Sequence, residues 1–164
     1  MDGNMISSVL YPVFLWICTG AVVTSVLLIL SKKLNLNPYW SLLIFSIPFS
    51  LSLLNVLVLH SYTPDEQEFF QSGWYIAESL RGGTIPEWNF RNLRVGIYSW
   101  IVGITFSIAG NQRVVILALN SGFWGLSGVF WMRIAKDLFD RVPIYTPILL
   151  MFYPAGVIWA FQNV

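Results

Sequence analysis

Residues 4–31 read NMISSVLYPVFLWICTGAVVTSVLLILS, and no Asp, Glu, Lys or Arg stands between Asp2 and Lys32. A helix that crosses a bilayer needs about 20 apolar residues, with about 17 as the lower limit, so this stretch is long enough for one. The pattern recurs. Charge is absent from Leu34 to Pro64, from Val95 to Gln112, from Val114 to Met132, and from Val142 to the C-terminus. The fold expected is all-α and integral to a membrane, a polytopic helical bundle of about five spans. The segments lie near 9–30, 40–60, 95–110, 114–132 and 142–162. The third is short and holds Gly96, Gly103 and Gly110, which suits either a tilted span or a re-entrant segment buried against its neighbours.

Composition agrees. The 164 residues are 56% hydrophobic and only 10% charged, where a soluble domain carries about 25%. The net charge of +1 points to no nucleic-acid partner. A single cysteine, Cys18, excludes an internal disulfide and a Cys-based zinc cluster, and a single histidine, His60, leaves no His-rich metal site. No cofactor is expected, and no dedicated metal cage, although one carboxylate could join a substrate-bound divalent ion. No repeat, linker or low-complexity tract divides residues 1–164, which read as one membrane domain.

The leader Met-Asp-Gly-Asn is acidic and no small-x-small site follows, so the first segment is expected to stay as an anchor or first span. Lys32 and Lys33 place the connection 31–39 in the cytoplasm by the positive-inside bias. The N-terminus and the loop 61–94 then face the opposite, extracytoplasmic side of a plasma or endoplasmic-reticulum membrane. If every later segment also crosses, Arg113 is cytoplasmic while Arg133, Lys136 and Arg141 lie outside, against the same bias. The last residues, Gln162-Asn163-Val164, give no polar tail and read as a truncation point.

Five of the eight acidic residues lie in loop 61–94: Asp65, Glu66, Glu68, Glu78 and Glu87. Thr63 as cap, Pro64 in the first turn and Glu66 three residues after the cap make a capping box, and Gly82-Gly83 a stop. Phe69, Phe70, Gly73, Trp74, Ala77 and Leu80 share one face, so an amphipathic helix on the outer membrane surface is expected. Asp65 stands at the positive end of its dipole, as a plain cap residue or as a carboxylate able to take a proton from a hydroxyl. His60 suits the membrane boundary. Trp74 and Tyr75 suit membrane anchoring or stacking on a sugar ring. Arg81, Arg91 and Arg94 could clamp a phosphate or meet anionic headgroups. In the apolar segments, Gly122, Gly125 and Gly128 (and Ala155-Gly156) predict close helix packing, Asn55 and Asn120 interhelical bonds, and Pro48 and Pro154 kinks or ends.

Thr63-Pro64-Asp65-Glu66, then Gln71-Ser72, then Thr84-Ile-Pro-Glu-Trp88, and finally Arg94-Val-Gly-Ile-Tyr-Ser-Trp100 form a series. It resembles the first luminal loop of membrane mannosyltransferases of the GT-C superfamily, of the glycosyltransferase family 22 type, which use a dolichol- or polyprenyl-phosphate-mannose donor. Those proteins show His-Pro-Asp-Glu after the first core span, a Gln-Ser in the loop helix, a Thr-x-Glu-Trp, and an Arg-Ser-aromatic element entering the next span. Here Thr63 stands for the histidine, one residue is inserted before Glu87, the last element is loosened, and one extra span precedes the motif. The likeness covers about residues 40–110.

The resemblance implies a membrane glycosyltransferase that moves a sugar, by expectation mannose, from a polyprenyl-phosphate carrier to an acceptor hydroxyl of a glycan, lipid or protein, with inversion. It implies Asp65 as the catalytic base. Glu66, Glu87 and Trp88 become candidate acceptor contacts, and Arg91 and Arg94 candidate donor-phosphate contacts. The superfamily's enzymes are longer, so the chain would supply the N-terminal portion. A second reading is a non-catalytic membrane subunit or scaffold that binds a lipid-linked sugar or a partner subunit. A transporter fragment fits less well, because the segments hold no Asp, Glu, Lys or Arg.

Overall fold

The computed structural model describes residues 3–59, 64–86 and 93–152, with the side chains of 3–9, 59, 64–66 and 93–95 outside that description. All regular structure among the described residues is helical: α1 (Gly3–Lys33), α2 (Pro38–Leu54), α3 (Pro64–Arg81), α4 (Leu93–Ala109), α5 (Arg113–Phe139) and α6 (Tyr145–Phe152). A π-helical turn, Asn55–Leu59, extends α2. Three stretches are long and apolar enough to cross a membrane: Leu10–Lys33, Pro38–Val58 and Arg113–Phe139. These are the first, second and fourth segments read from the sequence. The third, α4, is a helix of 17 residues, at the lower limit for a span, and its described apolar stretch, Gly96–Ala109, is shorter than the other three. Of the fifth, only α6 is described.

The helix ends follow local chemistry. Asn37 opens α2 by accepting from the Tyr39 N–H at 3.0 Å, with Pro38 in the first turn. At the end of α1, the Leu36 N–H reaches the Ser31 carbonyl at 2.9 Å and the Asn35 N–H the Lys32 carbonyl at 3.0 Å. Asn35 takes φ +54° to allow it, and Leu36 tucks under as a buried residue. α3 stops in the same way: Gly83 at φ +73° turns the chain, and the Thr84 N–H returns to the Ser79 carbonyl. The Gly82-Gly83 stop expected from the sequence is thus realised as a left-handed cap. Pro48 lies inside α2 without ending it.

α5 is the central helix: 61% of its apolar window is buried inside the protein, against 11% for α1. Its small residues make this possible. Gly122 meets Val23, Gly125 meets Leu27 and Phe45, and Gly128 meets Ile44, each at 3.0 Å from where a Cβ would stand. Val23, Leu27, Leu36, Ile44, Phe45, Val129 and Met132 form the core there. Between α1 and α2, Trp16 stacks on Phe49 with centroids 4.0 Å apart, and its indole N–H reaches the Phe49 carbonyl and the Ser52 hydroxyl at 3.2 Å. Gly20 leaves the room for that ring. Farther along, Ser31 and Ser41 share a hydrogen bond of 2.7 Å. The outer face of α1 keeps Leu10, Phe14, Ile17, Val22 and Ile29 exposed. Apolar surface of that extent calls for a lipid surrounding or a partner.

Helix directions correct one expectation. Val23 pairs with Gly122 and Leu27 with Gly125. Further on, the Arg133 Nη1 donates to the Leu34 carbonyl at 3.2 Å and the Lys136 Nζ to the Asn35 carbonyl at 2.6 Å. The partners advance together, so α1 and α5 run parallel. Lys32, Lys33, Arg133, Lys136 and Arg141 therefore gather at one end of the bundle, where two of them also satisfy carbonyls beyond the end of α1. The alternating path that separated these cations is not the one taken. At the opposite end, the Tyr11 hydroxyl meets the Ala109 carbonyl at 3.4 Å. The helices α3 and α4, between α2 and α5, make no net crossing.

Candidate functional site

Loop 61–94 builds its described part from α3 laid against α4. The contact is close because both helices present glycine. A Cβ on Gly73 would stand 2.4 Å from Val102 Cγ1 and 3.2 Å from the Gly103 nitrogen. One on Gly103 would stand 2.5 Å from Ile76 Cγ2 and 3.1 Å from the Gly73 carbonyl oxygen. Ala77, Val102, Phe106 and Ile116 fill the core beside this crossing. The amphipathic helix is present, and its apolar face docks on α4. Gly73, Ile76 and Ala77 are buried on that face; Gly73 and Ala77 belong to the apolar face read from the sequence, and Ile76 joins them. Trp74 is instead 41% exposed, at the edge of the contact.

Phe69 packs edge-on against Tyr98 at 4.8 Å, Gly73 meets Val102, and the Arg81 Nη2 donates to the Phe106 carbonyl. These pairs advance together, so α3 and α4 run in the same direction. The Asp65 end of α3 lies toward the start of α4, and the Arg81 end toward residues 109–113. Arg81 is further held by Glu78 at 2.8 Å and lies 5.6 Å over the Trp74 ring. Arg81 thus ties α3 to α4.

α4 meets α5 through polar groups. Tyr98 and Asn120 bond in both directions, the hydroxyl to Oδ1 at 3.2 Å and Nδ2 to the hydroxyl at 2.9 Å. This realises the interhelical bond expected of Asn120. A cavity of about 510 Å³ opens beside it, lined by Tyr98, Ile101, Asn120, Phe123, Trp124 and Ser127. Replacing Asn120 with Leu removes the tyrosine's partner, and thermal unfolding in detergent should show a loss of about 1 kcal/mol. Next to Tyr98, the Ser99 hydroxyl is buried with no hydrogen-bond partner among the described residues.

The residues singled out from the sequence separate as follows. Asp65 and Glu66 stand in the first turn of α3, which starts five residues after the π-helical turn ends. Arg94 stands in the first turn of α4. Glu87, Trp88 and Arg91, with His60 and Thr63, lie outside the described residues, as do Pro154 and Ala155-Gly156. No group of three His, Cys, Asp or Glu side chains is placed to hold a metal among the described residues. A second cavity, of about 440 Å³, is lined by Phe70, Gln71, Trp74, Asn111 and Arg113. In the sequence, Arg113 marks only topology. Its burial beside α3 comes from the α4–α5 turn, where Gly110 takes φ +74° and brings Asn111 and Arg113 back over the helix pair. No family model, curated protein or solved structure matches the chain.

Proposed function

We propose that this chain is the N-terminal portion of a GT-C-like membrane glycosyltransferase, and that Asp65 is its general base. The reaction is transfer of a sugar, mannose by the motif's likeness, from a polyprenyl-phosphate carrier to an acceptor hydroxyl, with inversion at the anomeric carbon. The observation that carries the reading is the setting of Thr63-Pro64-Asp65-Glu66. Pro64-Asp65-Glu66 forms the first turn of a helix that starts five residues after the π-helical extension of the long apolar α2, and that helix is clamped to α4 through Gly73 and Gly103. A donor with a membrane-bound tail presents its reacting carbon near the end of such helices. A carboxylate on a rigid helix start can hold an acceptor hydroxyl in line with it, and positioning of that kind supplies much of the acceleration. Glu66, Glu87 and Trp88 would contact the acceptor, and Arg91 and Arg94 the donor phosphate. The test is sugar transfer by the Asp65→Asn enzyme, taken up below.

The orientation that accompanies this reading is that the five cations of the basic end face the cytoplasm and loop 61–94 faces away from it. In a Cys18→Ser background, single cysteines at 34 and 141 should be labelled by an impermeant maleimide only after the membrane is opened. A cysteine at 111 should be labelled in sealed cells or vesicles. Labelling of 34 and 141 from opposite sides would show that α5 runs the other way.

A further inference from the structure

The parallel run of α1 and α5 brings two basic stretches to one end of the bundle: Lys32 and Lys33, then Arg133, Lys136 and Arg141. Arg133 and Lys136 are engaged there, by the Leu34 and Asn35 carbonyls and, for Arg133, by Asp137. Lys32, Lys33 and Arg141 are exposed and have no hydrogen bond or ion pair from their side chains among the described residues. Two carboxylates stand nearby: Asp137, held by Arg133, and Asp140, exposed at the left-handed residue (φ +59°) that ends α5. Five cations against two carboxylates leave this end with positive charge that the described residues do not neutralise. All three membrane-length stretches begin or end at this level, at Lys33, Pro38 and Phe139. Tyr39 and Tyr145 are exposed at it, as amphipathic rings are at the headgroup layer. In the connection from α5 to α6 a cavity of about 540 Å³ opens, lined by Phe139, Arg141, Val142, Pro143, Ile144 and Tyr145.

We infer that this end is a binding surface for anionic phospholipids, with Arg141, Lys32 and Lys33 as headgroup ligands and the 139–145 cavity as the seat of one lipid. A guanidinium matches two phosphate oxygens at once, and the apolar wall of Val142, Pro143 and Ile144 suits the glycerol and the start of the acyl chains. Position selects the partner. These cations stand at the ends of apolar stretches of membrane length, so the anion they meet is one held at the membrane surface, whereas a soluble polyanion would have to enter the headgroup layer. Each lysine or arginine beside an anionic leaflet strengthens association about fivefold, and three unengaged ones together do so on the order of a hundredfold. The inference needs neither the transfer reaction proposed above nor a choice of which side the basic end faces.

The test uses the full chain in an uncharged polyoxyethylene ether detergent, with retained lipid counted by native mass spectrometry. The probes are phosphatidylglycerol and phosphatidylcholine with the same acyl chains, which share a phosphate and differ in net charge. Phosphatidylglycerol should be retained well ahead of phosphatidylcholine, and the preference should shrink as salt rises. Lys32→Gln, Lys33→Gln and Arg141→Gln combined should weaken phosphatidylglycerol binding on the order of a hundredfold. Thermal stability should stay normal, because all three side chains are exposed and unpaired among the described residues. Asp140→Asn, which removes a carboxylate beside the cavity, should strengthen binding about fivefold. Asparagine tolerates the left-handed backbone at that position, so this variant decides the matter if the triple variant fails to fold. Equal retention of the two lipids, unchanged binding by the triple variant, or no gain with Asp140→Asn would overturn the inference. So would displacement of phosphatidylglycerol by inorganic phosphate at equal concentration, which would mark a site for free phosphate. Asp65→Asn should leave lipid retention intact, so failure of the transferase reading and failure of the lipid surface are separate results.

Discussion

Asp65→Asn is expected to abolish sugar transfer while leaving insertion and abundance of the protein unchanged. The substitution keeps the side chain's size and its ability to cap the start of α3, because an asparagine oxygen accepts from backbone N–H groups nearly as well as a carboxylate does. What it removes is the ability to take a proton from the acceptor hydroxyl as the bond to the donor phosphate breaks. A positioned base contributes roughly 10²–10⁴-fold in rate, and the loss in kcat should fall in that range. Binding of donor should be spared, so KM for the lipid-linked sugar should move little. If Asp65 is only a helix cap, Asn serves in its place and transfer continues at the wild-type rate. The non-catalytic reading of the chain makes the same prediction of no effect. The variant therefore separates chemistry from capping in one comparison, provided that membrane-inserted protein is quantified alongside.

Gly103→Val is expected to have the largest effect on the fold. The Cβ position at Gly103 lies 2.5 Å from Ile76 Cγ2 and 3.1 Å from the Gly73 carbonyl oxygen. The isoleucine could rotate away, but the second neighbour is backbone and cannot yield unless α3 moves as a unit. Separation of the helices would open the core of Ala77, Val102, Phe106 and Ile116 and pull Arg81 from the Phe106 carbonyl. Overpacking of this kind costs about 1–3 kcal/mol before any lost contacts are added. Protease protection of α3 should fall, with cleavage after Arg81 in membranes under conditions where the wild type resists. Gly83→Ala, by contrast, meets nothing within 4 Å, and its penalty would come only from the backbone angle of +73°.

The elements themselves were legible because each depends on neighbours in the chain. The apolar runs became α1, α2 and α5, the capping residues marked the start of α3, and Gly82-Gly83 marked its stop. The glycines at 122, 125 and 128 announced a packed seam on one face of a helix, and the seam is there. Direction was not legible. Counting charges along the chain assumes that each apolar segment reverses the path in turn, whereas α3 and α4 run in the same direction and α1 and α5 are parallel. Once α3 and α4 return the chain to the end it left, Arg133 and Lys136 fall beside the 34–35 carbonyls, a pairing across about a hundred positions that no local pattern encodes. The docking of α3 was hidden for a similar reason. An apolar face reads the same whether it meets lipid or another helix; the signal for a helix was Gly73 within it, with Gly103 inside the next apolar run. Arg113 went unread because its meaning comes from the fold of the 110–112 turn. Of the six candidate site residues, the structure describes the backbone of Asp65, Glu66 and Arg94, and Glu87, Trp88 and Arg91 lie outside it.

Sugar transfer itself is the decisive observable. Membranes carrying the native polypeptide that contains this sequence should be incubated with a polyprenyl-phosphate mannose labelled in the sugar, and the label followed into chloroform-insoluble or glycolipid acceptors. Label should leave the carrier in proportion to the amount of inserted protein, and the new glycosidic bond should have the anomeric configuration opposite to the donor's. Label that stays on the carrier at the level of membranes lacking the protein, with the polypeptide present and correctly inserted, would contradict it.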